Sequence, residues 1–249
     1  AGGLHYRWGL GKKYYWWEAV VRIRVHVICE GQTEEMFVNE LLQPFFLAKG
    51  VHLIPALVGK PGHKGGNFKF ERLQADVKNR LLGDSNAYCT TFFDYYGLPS
   101  SFPGKDTLGS HADIASKATT LQEAMTAELA RLIGSEAMRR FIPFVQMYEF
   151  EALLFSDPEA FARGVGREQL SQALIQIAEQ FESPEHINNS SMTAPSKRIE
   201  VLMNDYEKPL VGSLAALEVG LATMRAKCSL FDAWLTRLEA LAVVDRSTI

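Results

Sequence analysis

Cysteine is scarce in this chain. Cys29, Cys89 and Cys228 are too few and too scattered for a disulfide framework or a zinc knuckle, so a reducing, cytoplasmic compartment is expected. Long apolar runs are missing too: nothing approaches the roughly 18 residues that a spanning helix needs, and no membrane partner is expected. Residues 1–20 lack the charged head, apolar centre and small-residue cleavage site of a signal peptide. They have no clean period and read as a leader or an extension. Nor is positive charge in excess. With 26 Lys+Arg against 29 Asp+Glu, the net charge of -3 and pI near 6.1 give no global attraction to a phosphate backbone, so nucleic-acid binding requires a local basic patch. The chain also has no GxSxG, no P-loop and no zinc-spaced CxxC, which excludes acyl transfer, zinc hydrolysis and autonomous use of ATP.

What is present is ample apolar material: 249 residues at 47% hydrophobic content can bury a large core. In "VRIRVHVICEGQTEE", Ile23, Val25, Val27 and Cys29 alternate with Arg22, Arg24, His26 and Ile28, the period of a strand. It stops at Glu30-Gly31. Thr33 then reads as an N-cap with Glu34 and Glu35 in the first helical turn, and Met36, Phe37, Leu41, Leu42 and Phe45 follow at helical spacing. A second strand is expected at Val51 to Val58, a helix over about Phe70 to Leu82, and a third strand at "AYCTTFFD", ending at Asp94. A long helix, about Ala112 to Ile133, and a fourth strand, "RFIPFVQMY", complete the alternation. Strands alternating with helices predict an α/β fold with a parallel sheet. From "EFEALLFSDPEAF" onward the pattern is helical only, with "ESPEHINNSSMTAPS" as a polar loop. The expected division is therefore 1–20, an α/β domain over 21–150 and a helical region over 151–249.

Ligands of open parallel sheets bind beyond the carboxyl ends of the strands, where Glu30 and Asp94 both fall. If the first and third strands are neighbours, Glu30, Glu34 and Asp94 converge. Two unit charges about 4 Å apart repel by roughly 4 kcal/mol at an effective dielectric near 20, and a hard divalent ion relieves that repulsion. An all-oxygen set suits Mg²⁺ or Mn²⁺. A bland reading stands beside this one: Glu34 and Glu35 also suit a helix N-terminus through the macrodipole alone, worth about 0.3–1 kcal/mol. Lys60, His63, Lys64, Lys69 and Arg72 surround the glycine-rich "GKPGHKGGNFKFER" after the second strand. That loop is either a solvated turn or a phosphate-backbone binder. Lys197 and Arg198 follow Thr193, Pro195 and Ser196, which read as helix-start chemistry.

"VICEGQTEE" followed by "TTFFDYYG" resembles the Toprim catalytic fold of topoisomerases, primases and overcoming-lysogenization-defect nucleases, over roughly Val21 to Tyr148. "GKPGHKGGN", "DYYGLPSSFPG", "YEFEALLFSD" and "TAPSKR" further resemble a bacterial Toprim-like family described only as a domain of unknown function, commonly encoded beside ATPases in phage-defence loci. The resemblance implies a Toprim-like sheet with helices on both faces, a helical C-terminal appendage and metal-dependent phosphodiester cleavage of DNA or RNA. By that likeness Glu30 matches the Toprim glutamate and Asp94 the first Asp of its DxD. Tyr96 stands where the second Asp would be, so one or two ions remain open, with Glu34, Glu149 and Glu151 as replacement ligands. The implied cofactor is Mg²⁺ or Mn²⁺. The implied partners are an ABC- or AAA-type ATPase from the same locus and nucleic acid, with oligomerisation possible. The alternative is a catalytically silent module that binds its ATPase or a phage protein.

Overall fold

The computed structural model describes residues 23–59, 69–109, 112–188, 190 and 192–246. Residues 1–20, together with Lys60, His63 and Lys64, lie outside the described residues. The chain starts with β1 (Ile23–Cys29) and α1 (Gln32–Phe37), which runs through a π turn at Val38–Leu42 into α2 (Gln43–Leu47). Next come β2 (Val51–Leu57), α3 (Phe70–Gly83), β3 (Tyr88–Phe92), α4 (Ile114–Ile133), α5 (Ser135–Met138) and β4 (Phe141–Ile142). The remainder is helical: α6 (Pro158–Gly164), α7 (Ser171–Ala178), α8 (Pro195–Leu202), α9 (Lys208–Val219), α10 (Leu221–Lys227) and α11 (Ser229–Arg246).

The strands form one four-stranded parallel sheet in the order β2-β1-β3-β4, so the α/β class read from the alternation is the observed one. Register sets β1 against β3 with Val27 opposite Thr90 and Cys29 opposite Phe92. Pro55 is tolerated because β2 is an edge strand, where a missing N–H breaks no central ladder. Helices cover both faces. Val25, Val27 and Cys29 enter one cluster with Phe37, Phe150, Phe231 and Trp234. Ile28 enters a second with Leu73 and Val77 of α3 and Leu121 and Met125 of α4. Each fully buried aliphatic or aromatic side chain contributes roughly 1.5–3 kcal/mol, so both clusters press the helices onto the sheet. α11 is fixed to the sheet by Trp234, whose ring stacks on Phe144 at 4.3 Å and whose Nε1 donates to the Thr90 hydroxyl at 2.9 Å.

Two local expectations need correction. β4 covers only Phe141–Ile142, with one further bridge between Asp94 and Gln146, whereas the sequence suggested a strand through Tyr148. Pro143 has no N–H to continue the ladder. The Thr91 hydroxyl takes its place, accepting from Phe144 N at 3.0 Å and donating to Phe144 O at 2.7 Å. The first helix begins at Gln32 with Gly31 as its N-cap, not Thr33. Glu34, three residues on, folds back so that its Oε2 accepts the Gly31 N–H at 2.8 Å, the reciprocal half of a capping box.

Candidate metal centre

The parallel pairing of β1 with β3 places the loops after both strands side by side. Glu30 leaves β1 with its N–H still donating to Phe92 O at 3.2 Å, and its Oε2 accepts the Asp94 N–H at 3.0 Å. Gly97 explains how this carboxylate fits: a Cβ there would lie 2.0 Å from Glu30 Oε1. Asp94 is buried, and its Oδ1 accepts from Phe150 N at 2.8 Å. That bond ties β3 to the 3₁₀ turn Phe150–Ser156, which carries Glu151. Glu151 is fully buried, with Oε1 receiving Lys208 Nζ at 2.9 Å and the Tyr206 hydroxyl at 3.4 Å. Glu149 Oε2 accepts from Ser196 N at 2.8 Å, in the first turn of α8.

Burial and mutual repulsion raise the proton affinity of this cluster. Burial first, and then the Glu30 charge, push Glu34 up to about 7. Asp94 is raised well above the usual carboxylate range by burial, with Glu34, Glu30 and Glu151 adding to it. Burial also raises Glu30 and Glu151, while Lys208 pulls both down. Burial opposes the Lys208 ammonium, yet Glu151, Asp94 and Glu149 together hold it above its ordinary value. Glu30, Glu34, Asp94 and Glu151 therefore share one electrostatic environment.

The donor set can be tested against a hard divalent ion. All the acidic groups are carboxylates, the oxygen chemistry such an ion prefers. Among the described residues Glu151 Oε2 is buried without a hydrogen-bond partner, as is the side-chain oxygen of Gln146, whose backbone bridges Asp94. A buried unpaired acceptor costs about 1–3 kcal/mol, which a cation offsets. Against this, among the described residues no three His, Cys, Asp or Glu side chains stand in an arrangement that would hold a metal as they are. Glu30, Glu34 and Asp94 each commit an oxygen to a backbone N–H, so an ion must draw them together. The chemistry fits; the cage is not preformed.

The remaining sequence-predicted residues fall elsewhere. Lys69 is exposed at the N-cap of α3. Tyr96 donates through its hydroxyl to Asn188 Oδ1 and stacks on Tyr148, so its ring takes part in an aromatic group with Tyr95 and not in the carboxylate cluster. Lys197 pairs with Glu200 within α8, and Arg198 donates to Thr193 O at 2.8 Å. Sequence reasoning missed Tyr206, Lys208 and Gly97. The first two sit in "DYEKP", which reads only as an ordinary helix start, and the contact that gives them meaning spans more than fifty residues of chain, from Glu151 to Lys208.

The family profile described as domain of unknown function (DUF4276) matches residues 29–239. The chain belongs to that family. The DUF4276 match takes in Glu30, Glu34, Asp94, Glu149, Glu151 and Lys208. No curated protein and no solved structure matches the chain.

Proposed function

We propose that this DUF4276 protein is a Toprim-like nuclease that uses Mg²⁺ or Mn²⁺ to hydrolyse phosphodiester bonds in DNA or RNA, as the effector of an antiphage system with an ATPase partner. The observation that carries the reading is the gathering of Glu30, Glu34, Asp94 and Glu151 at the carboxyl edge of β1 and β3, with Glu30 half-buried, the other three buried, and each raising a neighbour's proton affinity. Clustered, desolvated carboxylates with raised proton affinity at a sheet edge mark a site suited to a cation or to proton transfer. Glu30, Asp94 and Glu151 would hold the ion, which supplies Lewis-acid polarisation of a phosphate oxygen when bound. Glu34, pushed up to about 7, is suited to take a proton from attacking water near neutral pH. Lys69, exposed at the N-cap of α3, and the cations of the glycine-rich segment that precedes it in the sequence would supply the local charge that receives the strand.

The test is cleavage of single-stranded and duplex DNA and of RNA by the full chain with its locus-encoded ATPase, in Mg²⁺ or Mn²⁺ and in chelator. Metal-dependent cleavage by the wild type, reduced by about 10³-fold or more in Glu30→Ala and Asp94→Ala at unchanged melting temperature, supports the reading. Equal cleavage in chelator, or by either variant, sinks it.

A second reading, the catalytically silent partner-binding module, is favoured by Leu210, Leu214 and Leu217. They leave about half of their surface exposed (56%, 48% and 47%) along one face of α9. Stable capture of the ATPase without cleavage under any metal condition would favour it.

A further inference from the structure

Lys208 breaks a local rule. It is the first residue of α9, where a cation is opposed by the positive end of the helix dipole, yet its ammonium reaches inward to the buried carboxylate of Glu151 at 2.9 Å. The lysine side chain is 41% exposed and the glutamate 0%, so Lys208 closes the outer side of Glu151. Tyr206 contacts the same oxygen, Oε1, at 3.4 Å. Oε2 remains buried and has no hydrogen-bond partner among the described residues. The two oxygens of one carboxylate thus face different situations: one already has a cation, and the other has no hydrogen-bond partner among the described residues.

Gly212 shows that this approach is built in. A Cβ at that position would come within 3.0 Å of the Tyr206 hydroxyl and 3.5 Å of Phe150. An alanine there would press on the Tyr206 hydroxyl by a few tenths of an ångström, so glycine leaves Tyr206 its reach to Glu151. Tyr96 is engaged by Asn188 and Tyr148 and offers no carboxylate.

We infer that Lys208 is a built-in cation that occupies one of two cation positions in the carboxylate cluster, so that the site takes a single divalent ion, on the Glu151 Oε2 side. This rests on the metal reading above and deepens it. A second divalent ion at Glu151 Oε1 would stand against the ammonium, and like charges at that range exclude each other. Removing the ammonium opens the position.

The test is calorimetric titration of the full chain, freed of metal by chelator, with Mn²⁺. The wild type and Lys208→Arg are expected to take one ion per chain and Lys208→Met two, with melting curves confirming that each variant is folded. Lys208→Gln serves as the neutral variant should the methionine form fail to fold. Two ions in the wild type, or one in the neutral variant with unchanged affinity, would overturn the role of Lys208 while leaving the metal site standing. No ion in any form would overturn the metal reading together with this inference.

Discussion

Glu34 carries a pH signature that can be separated from the rest of the chain. Its carboxyl moves from an ordinary value of 4.5 to about 7 on folding, so between those values the folded chain binds more protons than the unfolded one. The stability this contributes is complete below about pH 4.5 and is lost as pH rises through 7. In chelator the wild type should therefore lose melting temperature from pH 5 to pH 7.5 more steeply than Glu34→Gln, which has no proton to release; parallel curves would contradict the burial and repulsion argued for Glu34. Gly97 gives a second prediction. Alanine there forces the Glu30 carboxylate from its place, because the added carbon would lie 2.0–2.4 Å from its atoms. Gly97→Ala should abolish Mn²⁺ binding in a titration and cost about 1–3 kcal/mol in urea, and retention of wild-type affinity would mean that Glu30 is not a ligand. At this scale Glu30 and Asp94 were legible in the sequence, since each ends a recognisable apolar strand. Lys208 was not, because its meaning comes from Glu151, more than fifty residues earlier in the chain.

Elements were legible where one periodicity governs them. α3 and α4 follow from regular apolar spacing: Leu73, Val77 and Leu81 in the first, Leu121, Met125 and Leu129 in the second, are all buried. Misreadings occurred where a side chain substitutes for backbone. Thr91 replaces the ladder that Pro143 interrupts, and Glu34 caps through Gly31; neither leaves a periodic trace. The polar segment "ESPEHINNSSMTAPS" also hides an element-scale device. Glu185 is fully buried and accepts from Leu230 N at 3.0 Å and Phe231 N at 2.9 Å. It thereby satisfies backbone donors in the first turn of α11. Glu185→Ala should destabilise the chain by about 1–3 kcal/mol by denaturant titration, with Mn²⁺ affinity retained. An unchanged midpoint would mean that water serves those donors equally well.

On the scale of the whole molecule, the alternation of strands and helices declared the parallel sheet, but the convergence of distant segments on one site could not be read from it. Glu30, Glu34 and Asp94 come from the strand-helix portion, whereas Glu149 is held by α8 and Glu151 by Lys208 of α9. Aromatic contacts join the same parts: Phe37 meets Phe92 and Phe150 edge-on at 5.8 and 5.1 Å. A displacement of α8 would therefore act on Glu149, and one of α9 on Glu151. Among the described residues no helix is long and apolar enough to cross a membrane. On the reading proposed here, the carboxylates at the ends of β1 and β3 hold a divalent cation. The most direct test is anomalous diffraction from a crystal of the full chain soaked in Mn²⁺. A manganese peak with oxygens of Glu30 and Asp94 in its coordination shell is the expected result. A crystal with no peak there, or with manganese only at surface carboxylates remote from both, would contradict it.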